Sequence, residues 1–202
     1  MKYDELIPDD GWQLPPERRV PSVAEGDMSF FKRVLLWGIE RFGKLNAANL
    51  WLLMMHNMRL LRGMLFFASK LMPFGKLDRR DTELAILRIA WLCRSRYEWG
   101  QHVEIARRAG MTDEEILCSK SGPQTPGLSP LYRLLLEATD ELHSDAHVSD
   151  ATWQGLSEHL NQQQLMDLVF TVGQYNLVSM ALNSFGVQLD QGVPDWNLVP
   201  KK

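Results

Sequence analysis

The chain has 202 residues, with 22 Lys plus Arg against 25 Asp plus Glu and a formal net charge of −3. That length suits one domain with a sizeable core, and the charge balance gives no general attraction to nucleic acid or an anionic membrane. Hydrophobic residues at 45% exclude a disordered chain, and two cysteines, Cys93 and Cys118, are too few for a disulfide framework.

The first residues, MKYDELIPDDGW, are acidic and lack the apolar run of a signal peptide. With so few cysteines, the expected location is the cytoplasm. Residues 1–28 contain Pro8, Pro15, Pro16 and Pro21. Proline fixes φ and removes a donor, so this segment is expected to be an extended arm. From Ser29 the apolar residues recur at three- and four-residue steps (Phe30, Phe31, Val34, Leu35, Ile39, Phe42), the spacing of a helix face. The stretch from Leu50 to Phe74 is apolar enough to suggest a membrane segment. His56, Arg59, Arg62 and Lys70 interrupt it, and a buried helix pair is expected instead.

Asp78 precedes a helix from about 79 to 93 that is apolar nearly all round, and such a helix is buried on every side. Ser95 with Glu98, and Thr112 with Glu115, have the spacing of capping boxes. Ser129-Pro130, Ser149 and Asn161 open three further helices, the last reaching about Gly186. No alternating β-branched run is present, and no strict repeat. The expected fold is all-α: residues 29–188 form one domain of about seven or eight helices, and residues 189–202 form a tail with loop chemistry.

The stretch from residue 77 to 116 carries the chemistry. Glu83 stands twelve residues before Ser95, and His102 follows Glu98 by four. Glu98 and His102 therefore share one helix face, a turn apart. A tight link at Arg94 sets Glu83, on the preceding buried helix, beside them. Two carboxylates and an imidazole near a helix N-terminus suit proton transfer.

This pattern resembles the carboxymuconolactone decarboxylase and alkylhydroperoxidase-D-like family. Its peroxidase branch places a Glu, eleven residues, Cys-x-x-Cys, three residues and a His. Here Glu83 and His102 match, while Ser95 and Glu98 stand at the cysteine positions. The decarboxylase branch reads close to YEW-x-x-H, which Tyr97, Glu98, Trp99 and His102 satisfy. LDRRDTELAILR, HVEIARRAGMTDEEI and YNLVSMALNSFGV extend the likeness over about residues 45–190. Without Cys-x-x-Cys no dithiol exists to reduce a peroxide, so the thiol peroxidase reading is disfavoured.

The resemblance implies an alkylhydroperoxidase-D-like helical fold and a cofactor-independent lyase acting on a small carboxylated lactone or keto acid, as in aromatic catabolism. Glu83, Glu98 and His102 would be catalytic, with the glutamates' roles exchangeable. Ser95, Arg94, Arg96, Tyr97 and Asn176 would bind substrate, the arginines holding its carboxylate. It also implies self-association, as a trimer or hexamer. No metal, cofactor, nucleic acid or membrane is called for. Isomerisation, hydrolysis or cyclisation in the same pocket, or an inactive helical oligomer, are the alternatives.

Structural roles stand beside these. Glu98 can be the return partner of a Ser95 capping box, Glu83 can pair with Arg88, and His102 can be a satisfied core histidine. His143 and His147 have an i, i+4 metal-ligand spacing without an evident third ligand. Gln174, Asn176 and Asn183 interrupt an otherwise apolar last helix, where buried amides need partners at a pocket or interface.

Overall fold

Short polar residues set most helix starts. The computed structural model describes residues 6–43 and 48–190. The first five residues of the expected arm, and its expected tail from residue 191, lie outside them. Among the described residues there are nine α-helices and no strand. They are α1 (Phe30–Gly43), α2 (Ala48–Met54), α3 (Met58–Leu71), α4 (Arg79–Leu92) and α5 (Arg96–Arg108). Then follow α6 (Asp113–Ser121), α7 (Pro130–Ser144), α8 (Asp150–Ser157) and α9 (Gln162–Phe185). Side chains of Asp78, Ser129 and Ser149 accept from backbone N–H groups at the starts of α4, α7 and α8. Thr112 with Glu115, and Asn161 with Gln164, close full capping boxes on α6 and α9.

α4 lies at the centre and packs against α5, α6, α7 and α9. Every residue from Asp81 to Trp91 is buried, as its all-round apolar surface requires. Arg88 survives there because Asp140 holds its Nε and Nη2 at 2.5 and 2.8 Å, while the carbonyls of Ser119 and Lys120 accept from Nη1. Arg88 therefore pairs with Asp140 on α7, and Glu83 is left for another partner.

The link from α4 to α5 is as tight as expected. Arg94 takes φ 52°, a left-handed conformation costing a side-chain-bearing residue roughly 1–2 kcal/mol. The Arg94 and Ser95 N–H groups donate to the carbonyls of Trp91 and Ala90, closing the end of α4. Ser95 occupies the N-cap position of α5 but makes no side-chain cap bond. Its Oγ is buried without a hydrogen-bond partner. The capping box expected for Ser95 and Glu98 is therefore not formed, because Glu98 is engaged elsewhere.

The N-terminal segment runs across the bundle. Trp12 packs on Trp91 and Trp99 with ring centroids 5.3 and 5.9 Å away. Farther on, the Arg19 and Val23 N–H groups donate to the carbonyls of Phe185 and Leu52. Gly186, at φ 72°, ends α9 where a Cβ would lie 2.8 Å from Pro15, so both backbone and neighbour require glycine.

The segment from Leu50 to Phe74 departs from expectation. It breaks at a 3-10 turn, Met55–Asn57, after which the Asn57 side chain caps α3. Only Leu61 and Leu71 of α3 are buried, while Leu60, Phe66 and Phe67 face outward. Its arginines and lysine share that outer face with the aromatics, so the pair is half-buried. Among the described residues α9 alone is long and apolar enough to cross a membrane, and its inner face packs on α4, α5 and α7.

Candidate active site

Back-to-back packing of α4 and α5 puts Glu83 beside His102, and the helical repeat of α5 puts Glu98 on its other side. Glu83 Oε2 lies 2.7 Å from His102 Nδ1, and Glu98 Oε1 lies 3.2 Å from Nε2. All three residues are buried, Glu83 completely. Two ring nitrogens facing two carboxylates match the imidazolium, the one form with two N–H donors. Burial opposes that charge, but Glu83 and then Glu98 outweigh it, lifting the His102 pKa from 6.5 to about 9. Arg79 Nη2 lies 3.0 Å from Glu83 Oε1 and adds a second positive charge. The four side chains balance two negative charges with two positive ones.

A cavity of about 80 Å³ opens on this group, more than a single water requires. Its apolar wall includes Trp51, Met64, Met72, Ile105 and Val178. Its polar surface comes from Glu98, His102, Gln101, Gln174, Tyr97 and Tyr175. The Tyr175 ring meets the His102 ring edge-on, with centroids 5.0 Å apart. Burial, then the charges of Glu98 and Glu83, push the Tyr175 hydroxyl well above its ordinary range, so it stays a neutral phenol. Glu83 does not line the cavity. It reaches the site only through His102.

Of the five residues expected to bind substrate, only Tyr97 lines the cavity. Arg94 turns to the N-terminal segment, donating to Gln13 Oε1 at 2.6 Å and to the Asp10 carbonyl. Arg96 is outside the lining too, as is Ser95. Asn176 accepts from the Cys93 thiol at 3.0 Å, beneath the site, and Asn183 donates to the Cys93 carbonyl. Among the cavity's described lining residues there is neither Arg nor Lys. The left-handed turn at Arg94 explains this, because it aims the flanking arginines away from the face that carries Glu98 and His102.

Sequence spacing missed Asp190. This buried carboxylate accepts from the Tyr97 hydroxyl, from Gln101 Nε2 at 3.0 Å and from the Asn49 backbone at 2.8 Å. It thereby fixes two residues of the cavity wall. Tyr175 and Arg79 were missed as well. Arg79 had a signal, its i, i+4 spacing to Glu83. Asp190 had none, because its partners lie 89 to 141 residues away in sequence.

Burial raises the Cys93 thiol to about 11, Ser179 opposing and Glu98 adding to the shift, so it is a thiol at neutral pH. Cys118 is also unpaired in disulfide terms and donates to the Glu114 carbonyl. His143 and His147 are exposed, and among the described residues no group of three or more metal-ligating side chains gathers.

Residues 58–141, from α3 into α7, match the model of the Carboxymuconolactone decarboxylase family. Glu83, Glu98 and His102 all fall within that segment. The match spans 84 of the 202 residues. Over 115 residues it is 25% identical to the uncharacterized protein YdfG of Bacillus subtilis (strain 168), covering 54% of this chain and 78% of that one. The fold is similar to an alkylhydroperoxidase AhpD core, an uncharacterized peroxidase-related protein from Ralstonia eutropha JMP134. The TM-score there is 0.76 at 17% identity, over 92% of this chain and 97% of the other. A further fold likeness, at TM-score 0.68 and 13% identity, is to the debrominase Bmp8 in complex with 2,3,4-tribromopyrrole, over 87% of this chain and 94% of that one. At these identities the structural likeness speaks for the helical fold.

Proposed function

We propose that this protein is a cofactor-independent acid–base enzyme, a lyase or isomerase that moves a proton at a carbon next to a carbonyl. The observation that carries this reading is His102 held between two buried carboxylates at 2.7 and 3.2 Å, with one of them, Glu98, open to the cavity. A charged imidazolium is an acid and an electrostatic stabiliser for an oxyanion. Glu83 keeps it charged and fixes the ring. Glu98 shares the Nε2 proton and faces the substrate, so it takes a proton in an isomerisation.

In the decarboxylating form, the carbon–carbon bond to the carboxylate breaks and CO2 leaves. Its electron pair remains as an enolate whose oxygen is stabilised by the imidazolium. The enolate carbon then takes a proton from the His102–Glu98 pair, which solvent restores. A substrate carboxylate would meet His102 rather than Arg94 or Arg96.

The test is turnover of 4-carboxymuconolactone and of small β-keto acids by the wild type, His102→Asn and Glu98→Gln. The expected result is a loss of at least a hundredfold in kcat for each variant, with native circular dichroism at the assay temperature and a lowered melting point, since each substitution breaks the buried cluster. Equal turnover by all three proteins would remove the proposed chemistry from this site.

A further inference from the structure

We propose that the ligand of this site is an elongated, largely apolar neutral carbonyl compound, whose carbonyl meets His102 and whose hydrocarbon body extends into a groove between α3 and α9. This rests on the acid–base reading above in its isomerising form, since a neutral carbonyl compound has no carboxylate to lose, and adds to it the substrate class. A groove of about 480 Å³ runs outside the cavity, and the two share Leu50, Met64, Gln174 and Val178 as lining. These four side chains border both spaces. Its floor and sides are Met54, Leu60, Phe67, Leu177, Ala181 and Phe185. Phe67 meets Phe170 edge-on at 6.0 Å near one end, and Asn57 and Arg59 stand on the rim.

Leu60 and Leu177 are 56% and 55% exposed, so a hydrocarbon laid along them removes apolar surface from water on both sides. The charge pattern selects a neutral head. The cavity offers one carboxylate and one imidazolium already matched to each other, and no lysine or arginine to hold a free anion. A carbonyl oxygen accepts a hydrogen bond from the imidazolium without adding a buried charge. Gly63 of α3 lines the groove, and a Cβ there would meet nothing within 4 Å. A larger side chain can therefore occupy the groove without disturbing the fold.

The experiment is calorimetric titration with 2-butanone, 2-hexanone and 2-octanone, using wild type, Gly63→Leu and His102→Asn. Affinity of the wild type is expected to rise about fourfold for each added methylene. Gly63→Leu should bind 2-butanone as the wild type does and lose the gain for 2-octanone. His102→Asn should weaken all three ketones and keep the chain-length slope. A flat series in the wild type overturns the groove, as does a Gly63→Leu variant that weakens all three ketones equally. Light scattering of Gly63→Leu supplies another check, because a changed assembly mass would make the groove an interface between copies and overturn the proposal. Binding is read without turnover, so the slope persisting in a protein that turns nothing over would sink the acid–base reading alone.

Discussion

His102 holds a proton that its surroundings pull in two directions, burial expelling the charge while Glu83 and Glu98 retain it. Its pKa is raised to about 9, which fixes the sign of two pH effects. Stability from the cluster is fully present below about pH 6.5, the ordinary imidazole value, and is lost as pH rises through about 9. Activity that needs the imidazolium falls over that same alkaline limb. Glu83→Gln removes the stronger of the two supporting charges without opening the cavity, so the limb in kcat against pH should move to lower pH. A limb that stays in place in Glu83→Gln would mean that another group titrates. The convergence of Glu83, Glu98 and His102 was legible in the sequence, because a 3.6-residue helix and one tight turn suffice to bring them together. The role of Ser95 was not. Ser95 with Glu98 has the same spacing as Thr112 with Glu115, yet only the second forms a capping box. Spacing does not show that His102, a turn later on the buried side, competes for Glu98.

α4 shows the same limit for a whole element. Its burial could be read from an all-round apolar surface, and its Asp78 cap from local chemistry. The partner of Arg88 could not, since Asp140 lies 52 residues farther on. That pair explains the glycine after α6. Gly122 has φ 81° and ψ −166°, a region that essentially only glycine occupies. A Cβ there would lie 2.7 Å from Arg88 Nη2. Gly122→Ala is expected to strain the backbone and displace a buried guanidinium, costing about 3 kcal/mol in urea denaturation. Because Gly122 and Arg88 stand apart from the cavity lining, kcat of the folded fraction should stay near that of the wild type.

The whole molecule leaves much apolar surface in water. On α9, Met166, Phe170 and Met180 are exposed and stand outside the lining of the groove between α3 and α9. Large apolar side chains left in water on one helix are a surface that a second copy of the chain can cover. Light scattering is expected to give a multiple of the single-chain mass, and Met180→Glu is expected to reduce it. A monomeric wild type would contradict this. The half-exposed α3 escaped the sequence reading for a related reason: periodicity tells which residues share a face, and a single chain does not show what that face meets.

Asp190 makes the cavity a matter of timing. The Asp190 clasp joins residue 190 to Asn49, Tyr97 and Gln101, which lie 141, 93 and 89 residues away. Closing loops of such lengths is costly, and a clasp of a few hydrogen bonds opens at a fraction of the global free energy. The cavity wall is therefore expected to loosen before the helical bundle unfolds. In rising urea, turnover should vanish while the helical circular dichroism signal is still native, and Asp190→Asn should widen the gap between the two transitions.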